Sequence, residues 1–367
     1  MKISSFEAEN YRNMEKVRLD FSPGVNLLYG KNAQGKTNLI EGIYTFARGK
    51  SFRGATDADQ VRFGERGFSL SLTFEEKEYG EQRLTYRYYD GERKRLRGAA
   101  PISLSEMMGK FRAVLFYPEH LDLVKGGPAE RRLFLNIAIS QLDKGYLRAL
   151  SRYEKLREHR NAVLKEAAKF GYIDRDLLAS YSEGMAEACA TVAVARREYI
   201  DRLSGYAKDA QASLSGERER LSLRFSSDAG EITDKESVRE KYIELYNTDI
   251  SREMATGCSL FGVHRDDLEI FINDKEAKTF ASQGQQRTAV LSLKMAEGEV
   301  CRERTGEYPV FLFDDVLSEL DEGRRAVLLG GDGEKQIILT SCEGGERLGL
   351  AANEIYVEGG CYDPAHR

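Results

Sequence analysis

The stretch "GKNAQGKT", Gly30–Thr37, decides the fold. Its spacing, G-x-x-x-x-G-K-[ST], is that of a phosphate-binding loop. The context agrees: the apolar run Val25–Tyr29 predicts a strand leading in, and a helical pattern from Thr37 to about Ala47 leads out. Glycines let such a loop curl until successive N–H groups, those of Gly30, Lys31, Asn32, Ala33, Gln34 and Gly35, converge on a β-phosphate. Lys36 is then placed to neutralise the β/γ-phosphates, and the Thr37 hydroxyl to ligate Mg2+. The alternative is an ordinary glycine turn, which the flanking strand and helix disfavour.

A partner for this loop lies far along the chain. In "VFLFDD", Val310–Asp315, an apolar run predicts a buried central strand, with carboxylates emerging at its C-terminal edge, where α/β sheets bind ligands. Asp314 is the candidate Mg2+ holder. Asp315, one residue further, is the candidate to orient or deprotonate an attacking water. Two aspartates capping the following helix are the other reading.

The chain of 367 residues is long enough for about two domains. With 41% hydrophobic and 31% charged residues it has an ordinary soluble composition, and the net charge of -5 leaves any nucleic-acid contact to a local basic patch. The cysteines, Cys189, Cys258, Cys301, Cys342 and Cys361, have no C-x-x-C spacing, which points to reduced thiols instead of a disulfide scaffold or zinc site. No apolar run approaches ~18 residues and the N-terminus lacks a signal-like core, so a soluble, cytoplasmic protein without a membrane partner is expected.

Strand-like alternation marks residues 1–30 and 68–97, the latter with an Asp90-Gly91 turn, and "FRAVLFYP" reads as a buried strand stopped by Pro118. From Pro128, a first-turn proline, to about Ser215 the pattern is helical, with Tyr146, Leu150, Tyr153, Leu156, Val163 and Leu164 at helical spacing. "KFGYIDRD" interrupts it before a second long helix over roughly 174–213. Short strands around one helix follow over 219–273, and "KQIILTSCE" completes a parallel-sheet pattern. The expected fold class is α/β, a P-loop ATPase with a mixed sheet plus an inserted helical lobe. The expected division is 1–125 with 256–367 as the ATPase domain and 126–255 as the lobe.

One motif remains: "SQGQQRT", Ser282–Thr288, a polar helix start ahead of an apolar run. The Ser282 hydroxyl, the Gly284 N–H and the helix dipole make a second anion-binding end, suited to grasp a nucleotide held by another subunit. An ordinary capped helix packing Val290, Leu293 and Ala296 into the core is the alternative.

The order of phosphate loop, helical insertion, "SQGQQRT", "FLFDD" and "LSELD" resembles the ABC-type ATPases of the chromosome-maintenance and Rad50 group. The wording of "GKNAQGKTNLIEGI", "LFYPEHLDLVKGGPAERRLFLN", "GVHRDDLEI", "ASQGQQRT" and "LFDDVLSELD" resembles the RecF family of bacterial recombination mediators, over Asn10–Thr340. The resemblance implies an ABC-type ATPase head that binds ATP and Mg2+ and dimerises on ATP. Gly30–Thr37 with Asn38 would be its Walker A segment, and Asp314 and Asp315 its Walker B pair. Ser282, Gly284 and Gln285 would be the signature reaching a partner's γ-phosphate, and Ser318–Asp321 the D-loop. Arg12 and Asn13 resemble residues that flank the nucleotide. Thr340 and Ser341 stand where many relatives carry a switch histidine, and Val263 where the family most often has proline; the role of His264 is open.

The family function it implies is binding of single-stranded, gapped or junction DNA and assistance, with other mediator proteins, in loading recombinase during repair, replication restart and SOS induction. Asp315 is one methylene shorter than the glutamate usual there, so its carboxylate reaches about 1.5 Å less far. Misplacement of that order costs on the order of 10²-fold in rate, so slow ATP hydrolysis, a switch and not a motor, is expected. Three basic clusters compete as the DNA contact: Arg93, Lys94, Arg95 and Arg97 beside Tyr86, Tyr88 and Tyr89; Arg131 and Arg132; and Arg48, Lys50 and Arg53. Each also reads as a solvated face. The competing functions are a chromosome-organising head, for which the helical arms are short, and an ABC importer subunit, for which the insertion is too long.

Overall fold

The computed structural model describes residues 1–330 and 333–364 and separates into two compact units. One comprises residues 1–121, 209–218 and the chain from 290 onward; the other comprises 122–208 and 219–289. In chain order the strands are β1 (Lys2–Tyr11), β2 (Met14–Asp20), β3 (Val25–Tyr29), β4 (Gly67–Glu76), β5 (Gly80–Tyr89), β6 (Glu92–Arg97), β7 (Ala100–Pro101) and β8 (Ala113–Phe116). Then come β9 (Leu221–Ser226), β10 (Asp267–Ile272), β11 (Lys275–Glu276), β12 (Val310–Phe313), β13 (Ile337–Ser341), β14 (Asn353–Glu358) and β15 (Cys361–Asp363).

In the first unit an antiparallel sheet of order β2-β1-β4-β5-β6-β7 obeys the two-residue alternation of its sequence. Phe6, Leu72 and Leu84 stand in one register row, Ala8, Leu70 and Tyr86 in the next, and all are buried. Asp90 and Gly91, both at positive φ, close the β5–β6 hairpin with Tyr89 opposite Glu92, as a two-residue turn between twisted strands requires.

The second sheet has order β15-β14-β3-β13-β12-β8, with parallel pairing from β14 through β8. "VFLF" and "IILTS" are buried along their whole length, because a parallel strand is covered on both faces. Leu339 of β13 pairs with Leu27 on one side and Phe313 on the other. The strand carrying Asp314 is thus one strand removed from that feeding the phosphate loop.

The second unit contains the helices Pro128–Leu142, Lys144–Phe170, Lys235–Thr248 and Ile250–Thr256, most of Arg175–Ser215, and the sheet β11-β10-β9. Pro128 stands in the first turn, Asp143 caps the second helix through the N–H groups of Gly145 and Tyr146, and Gly171 at φ 71° ends it. Two helices, not one, follow β9, because the chain leaves helical geometry at Asp249. Residues 256–289, expected with the ATPase domain, pack in this unit: β10 pairs along β9, and Asp266 and Asp267 hold buried arginines of the helices.

The long helices also carry arginines that the fold places inside, Arg160 and Arg196. Arg160 donates to Ser182, Ser259 and, at 2.6 Å, Glu253. Arg196 donates to Asp266 at 2.6 Å and to the Val263 carbonyl. Both side chains are at most 1% exposed. A buried guanidinium is tolerated only when its donors are met, and these are.

Candidate nucleotide site

Gly30 and Gly35 bracket the phosphate loop, and neither position accepts a side chain. Gly30 has φ 149° and a Cβ there would stand 2.3 Å from the Val357 carbonyl oxygen. Gly35 has φ 117°, caps the helix Lys36–Arg48, and a Cβ would meet the Asn13 amide at 2.7 Å. The loop is laced from outside. Asn13 donates to the Gln34 carbonyl at 2.9 Å and accepts from Asn38 at 2.8 Å, and Tyr362 donates to the Gly35 carbonyl at 2.8 Å. Lys36 folds back over the loop, its Nζ donating to the carbonyls of Gly30 at 2.5 Å and Lys31 at 2.8 Å.

Parallel register brings the distant aspartates to this loop. Thr37 Oγ1 donates to Asp314 Oδ1 at 3.1 Å, across 277 residues of chain. Asp314 is buried, which pushes its carboxyl above the ordinary range, against the lowering effect of hydrogen bonds from Thr340 and Thr37. A hydroxyl beside a desolvated carboxylate is the hard-oxygen donor set that suits Mg2+, and a cation there would relieve the burial of that charge. Asp315 is exposed and sits at φ 54°, a left-handed conformation that aspartate tolerates better than most residues, and its N–H donates to Thr340 Oγ1 at 2.8 Å. Lys36, Thr37, Asp314, Asp315 and Thr340 line one cavity of about 490 Å³, the size that holds a small ligand.

Sequence reasoning missed part of that lining. Phe52, Tyr117, Pro118 and Glu119 face the cavity, as does Arg53, assigned above to a DNA patch. Arg53 donates to Asn38 Oδ1 at 3.1 Å. Their only signal was position, in loops just after a helix or strand, where function concentrates. Glu41, also missed, is fully buried in the helix Lys36–Arg48 and grips one edge of the Arg12 guanidinium with both carboxylate oxygens, accepting from Nε at 2.9 Å and Nη2 at 2.7 Å, while also accepting from Ser51. Arg12, at φ 54°, also donates to the Asp59 carbonyl. Its guanidinium is therefore committed to the protein, and its N–H donates to the Gln60 carbonyl at 2.7 Å.

The helix Gln283–Thr305 starts with a reciprocal cap. Ser282 Oγ accepts from the Gln285 N–H at 3.3 Å, and the Gln285 side chain accepts from the Ser282 N–H at 2.9 Å. Ser282, Gly284 and Gln285 stay largely at the surface, and a Cβ on Gly284 would meet nothing within 4 Å, so the helix end is open to an approaching group. In Ser318–Asp321, Asp321 caps the helix Glu322–Leu329; the Glu319 side chain lies outside the described residues.

Two of the basic clusters are mostly engaged. Arg131 forks onto Asp267 at 2.7 and 2.8 Å, and Arg132 donates to the Asp266 carbonyl. Arg93 pairs with Asp57, Arg95 lies over the Tyr86 ring at 5.3 Å, and Arg97 donates to Gln82. His264 stacks on Tyr153 and shares a hydrogen bond with its hydroxyl; burial, then the charges of Arg157, Arg265 and Arg132, hold the imidazole down to about 4. It is neutral at ordinary pH and serves the packing of its unit.

The chain resembles known proteins in sequence and in fold. Residues 2–344 match the family model described as the RecF/RecN/SMC N terminal domain. The "DNA replication and repair protein RecF" of Clostridioides difficile is 37% identical over 94% of this chain and 92% of its own length, and that of an Exiguobacterium species 39% over 93% and 92%. A solved structure of the recombination mediator protein RecF with ATP, from the RecFOR pathway, superposes with TM-score 0.91 at 32% identity, covering 99% of this chain and 97% of that one. The Smc head domain of Pyrococcus furiosus, at 18% identity and TM-score 0.58 over 99% and 95%, shares the fold. Among the described residues no helix is long and apolar enough to cross a membrane. A phosphate loop facing a desolvated aspartate, an open capped helix start and this full-length similarity place the chain in the RecF family of ABC-type ATPases.

Proposed function

We propose that this chain is an ATP-operated DNA-binding switch of the recombination-mediator type. It pairs with a second copy when ATP is bound, engages single-stranded, gapped or junction DNA, and helps other mediators place recombinase in repair, replication restart and SOS induction. The observation that carries this reading is the convergence of Lys36, Thr37, Asp314, Asp315 and Thr340 on one cavity.

In this reading the loop N–H groups and Lys36 hold the β- and γ-phosphates, and Lys36 exchanges its bonds to Gly30 and Lys31 for phosphate oxygens. Thr37 and Asp314 hold Mg2+, which neutralises phosphate charge when bound. Asp315 orients the attacking water, and the short reach of its carboxylate keeps turnover slow. Ser282, Gly284 and Gln285 of one copy close the γ-phosphate side of the other, so ATP joins the pair and its hydrolysis releases it.

Sedimentation of the full chain with ATP, with ADP and without nucleotide, in the presence and absence of gapped DNA, tests this. A doubled mass with ATP alone and co-sedimentation with DNA are expected. A monomer under every condition would remove the shared-site mechanism.

A further inference from the structure

Strand register divides the β5–β6 hairpin into two faces with different work. Arg93, Arg95 and Arg97 stand in the rows of Tyr88, Tyr86 and Leu84 and make the intramolecular contacts given above. Lys94 stands directly opposite Arg87 on the other face, and both are exposed. Among the described residues neither side chain makes a hydrogen bond or ion pair. Like charges directly opposite on neighbouring strands repel. An anion laid across the pair removes that penalty.

The row containing them runs Lys16, Glu9, Ser69, Arg87, Lys94 over five adjacent strands, roughly 19 Å at the usual strand spacing. In the next row Arg18 faces Glu7, whose carboxylate also accepts from Arg83 at 2.7 Å. Glu7 is thereby neutralised, and these two rows carry Lys16, Arg18, Arg87 and Lys94 against Glu7 and Glu9, in a chain of net charge -5.

One aromatic ring borders the cations, and a second stands on the turn whose Glu65 lines the same groove. Tyr89 shares the face of Arg87, is 56% exposed, and carries the Arg66 guanidinium 5.3 Å from its centroid. Phe63 is wholly exposed, at 101%. It is presented by a built turn, with the Glu65 N–H bonded to the Arg62 carbonyl and Gly64 at φ 89°. Bonds from the Arg62 N–H to the Asn10 carbonyl and from the Asp90 N–H to the Arg66 carbonyl fasten both ends. Between the turn and β5 lies a groove of about 360 Å³, lined by Arg66, Arg87, Tyr88 and Tyr89 together with Glu9 and Glu65.

We propose that this face, centred on Arg87 and Lys94 with Phe63 and Tyr89 at its edge, binds single-stranded DNA, phosphates on the cations and unstacked bases on the rings. Basic side chains interleaved with exposed aromatics are what sequence-tolerant single-strand binding needs. Glu9, Glu65 and Glu92 interrupt the cations, so a long, evenly charged duplex backbone fits poorly, while a few phosphates of a flexible strand fit well. The proposal rests on the DNA-binding reading above and assigns its surface.

The test is fluorescence anisotropy of the full chain with ATP on a labelled single-stranded oligonucleotide and on a blunt duplex, over a range of salt. Arg87→Gln with Lys94→Gln should weaken single-strand binding about tenfold and lower the log–log salt slope by about 1.4, since each single-strand phosphate contact contributes about 0.7. Phe63→Ala should weaken single-strand binding about fivefold or more, leaving the salt slope and duplex binding in place. ATP hydrolysis without DNA should be unchanged in both variants. Wild-type affinity and slope in the double variant, or equal loss of duplex and single strand in Phe63→Ala, overturn the assignment while leaving the DNA-binding reading intact. Failure of the wild-type chain to bind any DNA overturns both.

Discussion

One hydroxyl ties the two aspartates of the nucleotide site together: Thr340 Oγ1 donates to Asp314 Oδ1 at 2.9 Å and accepts the Asp315 N–H at 2.8 Å. Thr340 is the penultimate residue of β13, beside the strand that both acids follow. Thr340 thus couples the two acids through a single side chain. It sets the direction in which Asp315, at φ 54°, enters the cavity.

Thr340→Val keeps the volume and removes both bonds. An unpaired N–H at a part-buried site costs about 1–3 kcal/mol, and Asp315 should relax out of position. ATP hydrolysis should fall on the order of 10- to 100-fold with nucleotide affinity within a few-fold of wild type. Thr340→Ser should restore most of the rate. Single-turnover hydrolysis and nucleotide titration separate the effects; equal loss of binding and turnover would show that Thr340 only supports the fold.

In the proposed function Lys36 is the cation that meets the phosphates, so Lys36→Ala or Lys36→Met should abolish hydrolysis and weaken nucleotide binding. Lys36→Arg retains charge but not the compact ammonium that fits beneath the Gly30 and Lys31 carbonyls, and should bind with turnover lost. Wild-type hydrolysis by Lys36→Ala would sink the assignment of the loop.

Ser282→Arg places a guanidinium at the open helix start, where it should block ATP-dependent pairing and leave nucleotide binding nearly intact. Asp315→Asn should do the reverse, holding the pair together by removing the group that orients water. Chains with Ser282→Arg mixed with chains carrying Lys36→Ala should regain partial activity, because a mixed pair can put both lesions in one shared site. Sedimentation of Ser282→Arg with ATP decides the matter: a dimer there rules out a helix acting on its neighbour.

Arg93→Gln should destabilise the protein by about 1–2 kcal/mol, because Asp57, 6% exposed, loses its ion-pair partner. DNA affinity should be little changed. Thermal melting and DNA titration of the same sample give both numbers, and a loss of DNA binding without a change in melting would move Arg93 to the binding face.

His264 provides a pH test. Its imidazole is held down to about 4 from an ordinary 6.5, so the unfolded chain takes up the proton first as pH falls. The stability that neutral His264 contributes is complete above about pH 6.5 and lost as pH drops toward 4, at most about 3 kcal/mol for this group. Denaturant midpoints from pH 7.5 to 4.5 should fall more steeply for wild type than for His264→Gln. Parallel curves would contradict the burial of the ring.

The sequence by itself determined whatever depends on near neighbours. The phosphate loop, the apolar strand ending in Asp314 and Asp315, the Asp90-Gly91 turn, Pro128 and the cap at Ser282 are local patterns, because strand alternation, helix ends and tight turns are set within a few residues. Tertiary structure decided what is paired and what is free. Arg160 reaches Glu253 across 93 residues and Arg196 reaches Asp266 across 70, so arginines spaced like a solvated face became the polar core of the second unit. Glu41 looks like an ordinary helix residue until Arg12 and Ser51 close on it. The basic hairpin read as a single cluster because charge count ignores direction. Only the packed sheet, with Asp57, Gln82 and Tyr86 waiting on one side and only Ser69 and Lys94 opposite Arg87 on the other, separated arginines that hold the fold from cations left exposed.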